Sequence, residues 1–304
     1  GTMFHAFNEI PMPADAFRAL REAESFSLQQ KGAQSLERIQ EEFDIRQKLL
    51  KEAVIACIVT FGRVNFDGDG NLLIPSVNPT DGVVTDASGT VISADFEVAN
   101  SHRGRLTDAT DGAIIDKLWT QSDARIERQL EDLKYRARKQ NVPEPTEIIV
   151  HSLSKKWLRD NAEFRHWARE SQVVPDRILK GNFVEDLFGF NWHFIGGTYQ
   201  TSDGTTRDLI PQSQAVICPK PGNGWTRASK GAELVPRDLS PVAGWQEALN
   251  ALDTVFGQFA YAILDHNPPR LNLFQGENWG LNFADPNAIW MPTVFDDEGQ
   301  SGSE

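Results

Sequence analysis

The chain reads as a mixture of helices and strands, the α+β class, on three observations. Residues 34 to 60 repeat their apolar side chains at helical spacing. Short runs such as Phe188 to Phe194 place apolar residues at alternate positions, the period of a half-buried strand. Asp-Gly steps at Asp67-Gly68 and Asp203-Gly204 stand between such runs, where a hairpin needs its turn.

In chain order, Gly1 to Pro13 is a short lead with apolar residues at Phe4, Phe7 and Ile10, closed by Pro11 and Pro13. Asp15 is placed to cap a first helix reaching about Gln30, and Gly32 marks a break or kink. A second helix is expected from about Gln34 to Thr60. Leu36, Ile39, Phe43, Leu50, Ala53 and Cys57 fall on one of its faces, interrupted by Arg46. Its length is about 40 Å at about 1.5 Å per residue.

Arg63-Val64-Asn65-Phe66 and Asn71 to Pro75 flank Asp67-Gly68-Asp69-Gly70 and read as a hairpin. A calcium loop starting at Asp67 would need Gly and Glu where Leu72 and Asn78 stand, so the run is read as a turn. From Asn78 to Leu106 the chain is rich in Gly, Thr, Asp and Ser, with short β-type runs at Val83-Val84 and Val91-Ile92. Asp108 or Asp111 then caps a third expected helix, with Ile114, Ile115, Leu118, Trp119, Ile126, Leu130 and Leu133 on its apolar side. It ends in Lys134-Tyr135-Arg136-Ala137-Arg138-Lys139, cations that complement a helix dipole more readily than they form a polyanion site.

A strand is expected over Thr146 to Val150, a helix after Ser154, and another from Asn161. Thr198-Tyr199-Gln200 and Thr205 to Ile210 form a hairpin through Asp203-Gly204, and Ala215 to Cys218 is a short apolar strand stopped by Pro219. Trp225 to Ala243 reads as loop and Trp245 to Val255 as helix, before the runs Phe256 to Ile263 and Pro268 to Leu273 close the stretch. Asp296 to Glu304 has the acidic, Gly/Ser-rich composition of a mobile tail.

The composition narrows the function classes. The 304 residues are 40% hydrophobic and 24% charged, ordinary for a soluble globular chain and long enough for a large core. The formal charge of −13 argues against a surface built as a whole to grip phosphates. No run approaches the roughly 18 apolar residues of a membrane span, and no basic-then-apolar leader opens the chain. Cys57 and Cys218 each sit in an apolar run and read as buried free thiols.

Searches for chemistry return little. There is no G-x-S-x-G, no P-loop lysine motif and no G-x-G-x-x-G. The six histidines show no pair at metal-ligand spacing. One pairing is worth carrying forward. Asp95 and Glu97 alternate across Phe96, so an unbroken strand would put both carboxylates on one face about 7 Å apart, a separation glycosidases use. Solvated acids on a strand are the commoner explanation. The eight Trp residues are spread along the chain, which suits packing and interface anchoring, and Trp279 and Trp290 are read as core.

The C-terminal half carries a resemblance. Tyr199 ends a strand and is followed by Asp203-Gly204-Thr205, the Ile210-Pro211-Gln212 corner, Phe259-Ala260-Tyr261-Ala262, Pro268 to Leu273, and Asp285 to Trp290. In this order these tags resemble the lambda-type major capsid protein E family of tailed bacteriophages. The hairpin after the long helix and the Asn161 to Arg165 helix start are similar to that family too.

The resemblance implies the Hong Kong 97-type capsid fold, an α+β plate with an axial domain, a peripheral domain and a long spine helix. On that reading residues 1–14 are the end of an extended hairpin. Residues 15–108 are the peripheral domain with the long helix at 34–60, and 109–145 are a connecting helix. The axial domain is 146–252, residues 253–295 return to the peripheral domain, and 296–304 are the tail. The family's N-terminal arm and the rest of its hairpin have no counterpart before the first helix.

The implied function is that of a major capsid protein, with no enzymatic activity, catalytic residue, cofactor or metal. Copies of the chain would form hexamers and pentamers of an icosahedral shell around double-stranded DNA, without sequence-specific contacts. Portal, scaffold and decoration proteins are the other implied partners, with no membrane. The implied location is the virion capsid, after assembly in the host bacterial cytoplasm. The rival readings are an encapsulin-like compartment shell and an acidic glycoside hydrolase using Asp95 and Glu97.

Overall fold

A computed structural model describes residues 3–11, 26–108, 112–170, 186–201, 204–222, 224–236, 252–266 and 269–296. Its longest helix, α1, is Phe26–Phe61. The break expected at Gly32 does not occur. One interior glycine costs about 1 kcal/mol relative to alanine, little against the hydrogen bonds of so long a helix. Residues 15–25 of the expected first helix lie outside the described residues. The helix stops at Gly62, whose φ of +65° suits glycine and whose N–H bonds the Ile58 carbonyl at 2.9 Å. Phe43, Ala53, Val54, Cys57, Ile58 and Phe61 are buried, while Leu50, expected on that stripe, is 37% exposed.

The chain divides into two units, residues 1–51 with 227–282, and residues 52–226 with 283–304. Helix α1 contributes residues to both.

The first unit is built on the strand Pro269–Phe283. Phe4–Pro11 runs antiparallel along one of its edges, from Phe4 opposite Trp279 to Pro11 opposite Asn272. Gln258–His266 pairs along the other edge, from Gln258 opposite Glu277 to His266 opposite Pro269. Two features differ from the sequence reading. The region read as loop contains the strands Thr226–Lys230 and Ala232–Pro236. Leu252–Phe256, expected to end a helix, is a strand paired with Ala232–Pro236, while residues 245–251 lie outside the described set. Thr254, Val255 and Phe256 are β-branched or aromatic, and ladder pairing with Leu234 and its neighbours overrides a weak helical period.

Three strand ends meet in a closed ring of backbone hydrogen bonds. Gly231 N–H donates to Asn278 O, Asn278 N–H to Gly257 O, and Gly257 N–H to Gly231 O, each at 3.0 Å. The Asn278 side chain fixes the junction by donating to Glu233 Oε2 at 2.7 Å. Helix α1 packs on this sheet. Lys51 Nζ lies 2.7 Å from Glu277 Oε1 and 5.2 Å from the centre of the Trp279 ring, and Gln275 donates to Asp44 at 2.7 Å. Trp279 also meets Phe4, with ring centres 5.0 Å apart.

The second unit has a sheet in which Glu147–His151 runs parallel to Phe190–Ile195 and antiparallel to Ala215–Cys218, with Asp186–Leu187 outside Phe190–Ile195. Ile148, Val150, Phe190, Trp192 and all of Ala215–Cys218 are buried. Arg63–Phe66 pairs with Leu72–Leu73 and with Ile92–Asp95. The Asp67 carboxylate closes the intervening turn by accepting from the backbone N–H of Asp69 and Asn71 and from the Asn71 amide.

Helix α2 is Ile126–Lys139, starting more than a dozen residues later than expected. The apolar residues assigned to its first turns, Ile115, Leu118 and Trp119, are buried, but in irregular chain. Tertiary hydrogen bonds use their backbone instead: Ile115 N–H bonds Arg105 O, and Trp119 N–H bonds Val294 O at 2.6 Å. Helices α3, Ser154–Asp160, and α4, Ala162–Glu170, follow as predicted. Asn161 Oδ1 starts α4 by accepting from the N–H of Glu163 and of Phe164. Among the described residues no helix is long and apolar enough to cross a membrane.

Candidate functional site

Asp95 and Glu97 do not form a facing pair. The strand Ile92–Asp95 stops at Asp95, and Glu97 has φ +60°, so the two-residue alternation ends before it reaches Glu97. Asp95 is committed to structure. Its carboxylate pairs with Arg63 and accepts from the Glu97 N–H at 2.8 Å. Burial would raise the Asp95 carboxyl, but those hydrogen bonds and the charges of Arg63 and Arg103 outweigh it and hold it below the usual range. A carboxyl kept ionised in this way is a poor proton donor.

Arg103 is 4% exposed and donates to Asn100 Oδ1 at 3.1 Å. Burial pushes its pKa down to about 10. Glycines surround it because nothing larger fits. A Cβ on Gly104 would stand 2.8 Å from the Pro79 carbonyl, and one on Gly82 would overlap the Asn100 carbonyl; both glycines have positive φ.

His102 is buried and hydrogen-bonds the Ile289 carbonyl through Nδ1 at 3.0 Å. Burial drives its pKa down to about 4, helped by the positive charges of Arg136 and Arg103. It is therefore neutral, with the proton on Nδ1. The Ile289 carbonyl that it holds belongs to the Asp285 to Trp290 tag. Asp285 starts a short 3-10 helix there, Pro286–Ala288, by accepting from the Asn287 N–H. Trp290, wholly buried, then bridges to Ile217 of the central sheet.

Glu147, at the start of that sheet, accepts from His193 Nε2 at 2.8 Å, Asn191 Nδ2 at 3.0 Å and Thr146 Oγ1 at 3.1 Å. Burial would raise its pKa, and these three donors together reverse the effect. Cys57 on α1 and Tyr199 of the hairpin hydrogen-bond each other. Burial pushes the Cys57 thiol up to about 12 and raises the Tyr199 phenol too. Cys218, also free and buried, is pushed up to about 12 by the same cause. Neither thiol has the exposure or the thiolate character of a nucleophile.

These clusters join segments distant in sequence, and none offers a nucleophile beside a base. Among the described residues no group of three His, Cys, Asp or Glu is placed to hold a metal ion. What the molecule presents to its surroundings is surface. Ile45 and Leu49, one turn apart on α1, are 57% and 50% exposed, and in the second unit Val91 and Ile92 are 69% and 60% exposed. Sequence periodicity missed these because apolar character alone does not tell which side of an element faces water.

No protein-family profile and no curated protein matches the sequence. Solved structures do match. A structure described as a prophage capsid protein (E. coli CFT073) is 14% identical with a TM-score of 0.51, over 96% of this chain and 77% of that one. A phage-related protein from Bordetella bronchiseptica RB50 is 10% identical with a TM-score of 0.47, over 97% of this chain and 76% of that one. A protein of Mycobacterium phage Che8 is 11% identical with a TM-score of 0.39, over 96% and 71%. The first of these superposes on almost the whole chain, and the chain has the fold of the phage capsid proteins.

Proposed function

We propose that this protein is a major capsid protein of a tailed phage or prophage, of the lambda-type E family and the Hong Kong 97-type fold. The observation that carries the reading is the shared fold with the prophage capsid protein over 96% of the chain. The residues behind the family resemblance support it from a second direction, because they occupy joints of the fold. Tyr199 bonds α1 through Cys57, and the Asp285 to Trp290 corner is held by His102 and bridged to the central sheet.

On this reading α1 is the spine helix, and residues 146–252 and 15–108 with 253–295 are the axial and peripheral domains. The mechanism is assembly. Copies associate as hexamers and pentamers into an icosahedral shell around double-stranded DNA, in the host cytoplasm, with portal, scaffold and decoration proteins as further partners. Ile45, Leu49, Val91 and Ile92 would leave water in such contacts, and burying apolar surface is the main favourable term in association. The protein acts as a wall and not as a catalyst, consistent with the structural commitments of Asp95 and Glu147.

Negative-stain microscopy and light scattering of purified native protein test the reading. Closed shells tens of nanometres across are the expected result. Shells holding double-stranded DNA separate a phage head from a cellular compartment. A full-length product that stays monomeric under all assembly conditions would sink the proposal.

A further inference from the structure

The second unit contains a cavity of about 400 Å³ that no feature of shell assembly accounts for. Arg125, Arg128, Arg136 and Lys139 line it, together with Asp116 and Asp132. The two carboxylates are already engaged. Asp116 Oδ1 accepts from Gln129 Nε2 at 2.7 Å and from the Lys117 N–H at 2.8 Å, and Asp132 lies 3.8 Å from Arg128. Arg125 and Arg136 have no carboxylate partner among the described residues.

Arg136 is the informative group. Its Nε and Nη1 are shielded from solvent and have no hydrogen-bond partner. A guanidinium cannot shed its proton to escape this position, and a cation stripped of water without a counter-charge is costly. Its positive charge already disfavours protonation of His102. Among the described residues that line the cavity, four cations stand against two carboxylates, although the chain as a whole carries −13.

We propose that this cavity is a binding site for a phosphate group, held by Arg136 and Arg125. A tetrahedral dianion supplies the charge that the two engaged carboxylates do not, and its oxygens accept from several donors at once, the recognition for which arginine is suited. The phosphate can belong to a small phosphorylated anion or to the phosphodiester of a nucleic acid.

The site is testable on the full chain, whether or not it assembles. Isothermal titration with inorganic pyrophosphate at low salt is expected to give saturable binding. Arg136→Gln should weaken it at least about 10-fold, as losing a charge-assisted hydrogen bond does. Arg125→Gln, at an exposed position, should weaken it about 3-fold or more while leaving thermal unfolding unchanged, which keeps the test valid if Arg136→Gln fails to fold. Displacement of pyrophosphate by a short DNA duplex would identify nucleic acid as the source, and retention would identify a small anion. Absence of pyrophosphate binding, or equal binding by wild type and a folded Arg125→Gln, overturns the site. Particle size is read separately, so the failure of this site and of the capsid reading are distinct results.

Discussion

The imidazole of His102 lies stacked on the indole of Trp290, ring centres 5.2 Å apart and planes within 12° of parallel. The pair ties residues on either side of the central sheet in sequence.

The first prediction concerns pH. His102 has its pKa depressed from an ordinary 6.5 to about 4. The unfolded chain therefore binds a proton that the folded chain refuses. The contribution to stability is fully present above about 6.5 and is lost as pH falls from there through about 4. Thermal melts between pH 7.5 and 4 should show this decline, and His102→Gln should flatten it while lowering the melting temperature at pH 7.

Glu147 supplies the second prediction. Glu147→Ala leaves the Asn191 amide and His193 without their acceptor and should cost about 1–3 kcal/mol in urea unfolding. His193→Ala should cost under about 1 kcal/mol, because its side chain is half exposed and the pair is screened there. Equal costs for the two variants would contradict the burial argued for Glu147.

Backbone geometry separates two glycines of similar φ. Gly89, at +84°, has nothing near its absent Cβ, so Gly89→Ala should lose only the roughly 1–2 kcal/mol of left-handed strain. Gly82, at +71°, faces the Asn100 carbonyl and the backbone of Arg103, and Gly82→Ala should lose a further 1–3 kcal/mol or so from overlap. Denaturation midpoints of the two variants measure the difference directly.

The thiols supply a fourth outcome. Cys57 and Cys218, each pushed up to about 12, should resist an aromatic disulfide reagent at pH 8 in the native protein and react fully in guanidinium. Tyr199→Phe should cost about 1 kcal/mol and speed the modification of Cys57 more than that of Cys218.

Much of this fold was legible where period and turn chemistry agreed. The face of α1 from Phe43 to Cys57, the Asp67 turn, the Asn161 helix start and the Ala215–Cys218 strand all follow from residue type and spacing. Two of the failures share a physical origin, backbone groups paired with other segments. Between Gly112 and Arg125 the apolar residues sit at helical spacing, yet their backbone bonds go to Arg105 and Val294, remote in sequence. At Leu252–Phe256 a helical pattern lost to pairing with Ala232–Pro236. The Asp95 and Glu97 alternation failed through one residue with positive φ. The arginine-lined cavity was half visible as the basic end of α2, but the orphaned state of Arg136 depends on which neighbours fold leaves beside it.

The strand Pro269–Phe283 has a consequence for the order of events during synthesis. One of its flanks, Phe4–Pro11, leaves the ribosome well before the residues it pairs with, Asn272 to Trp279, which are made some 260 positions later. Until then the early strand has an open edge and no ladder. The first unit can close only after Pro269–Phe283 has been translated, while Glu147–His151, Phe190–Ile195 and Ala215–Cys218 can pair earlier. The nascent strand is thus exposed to pairing with a neighbouring nascent chain while the intervening residues are made, which makes slow elongation a hazard for this protein and early shielding of Phe4–Pro11 an advantage.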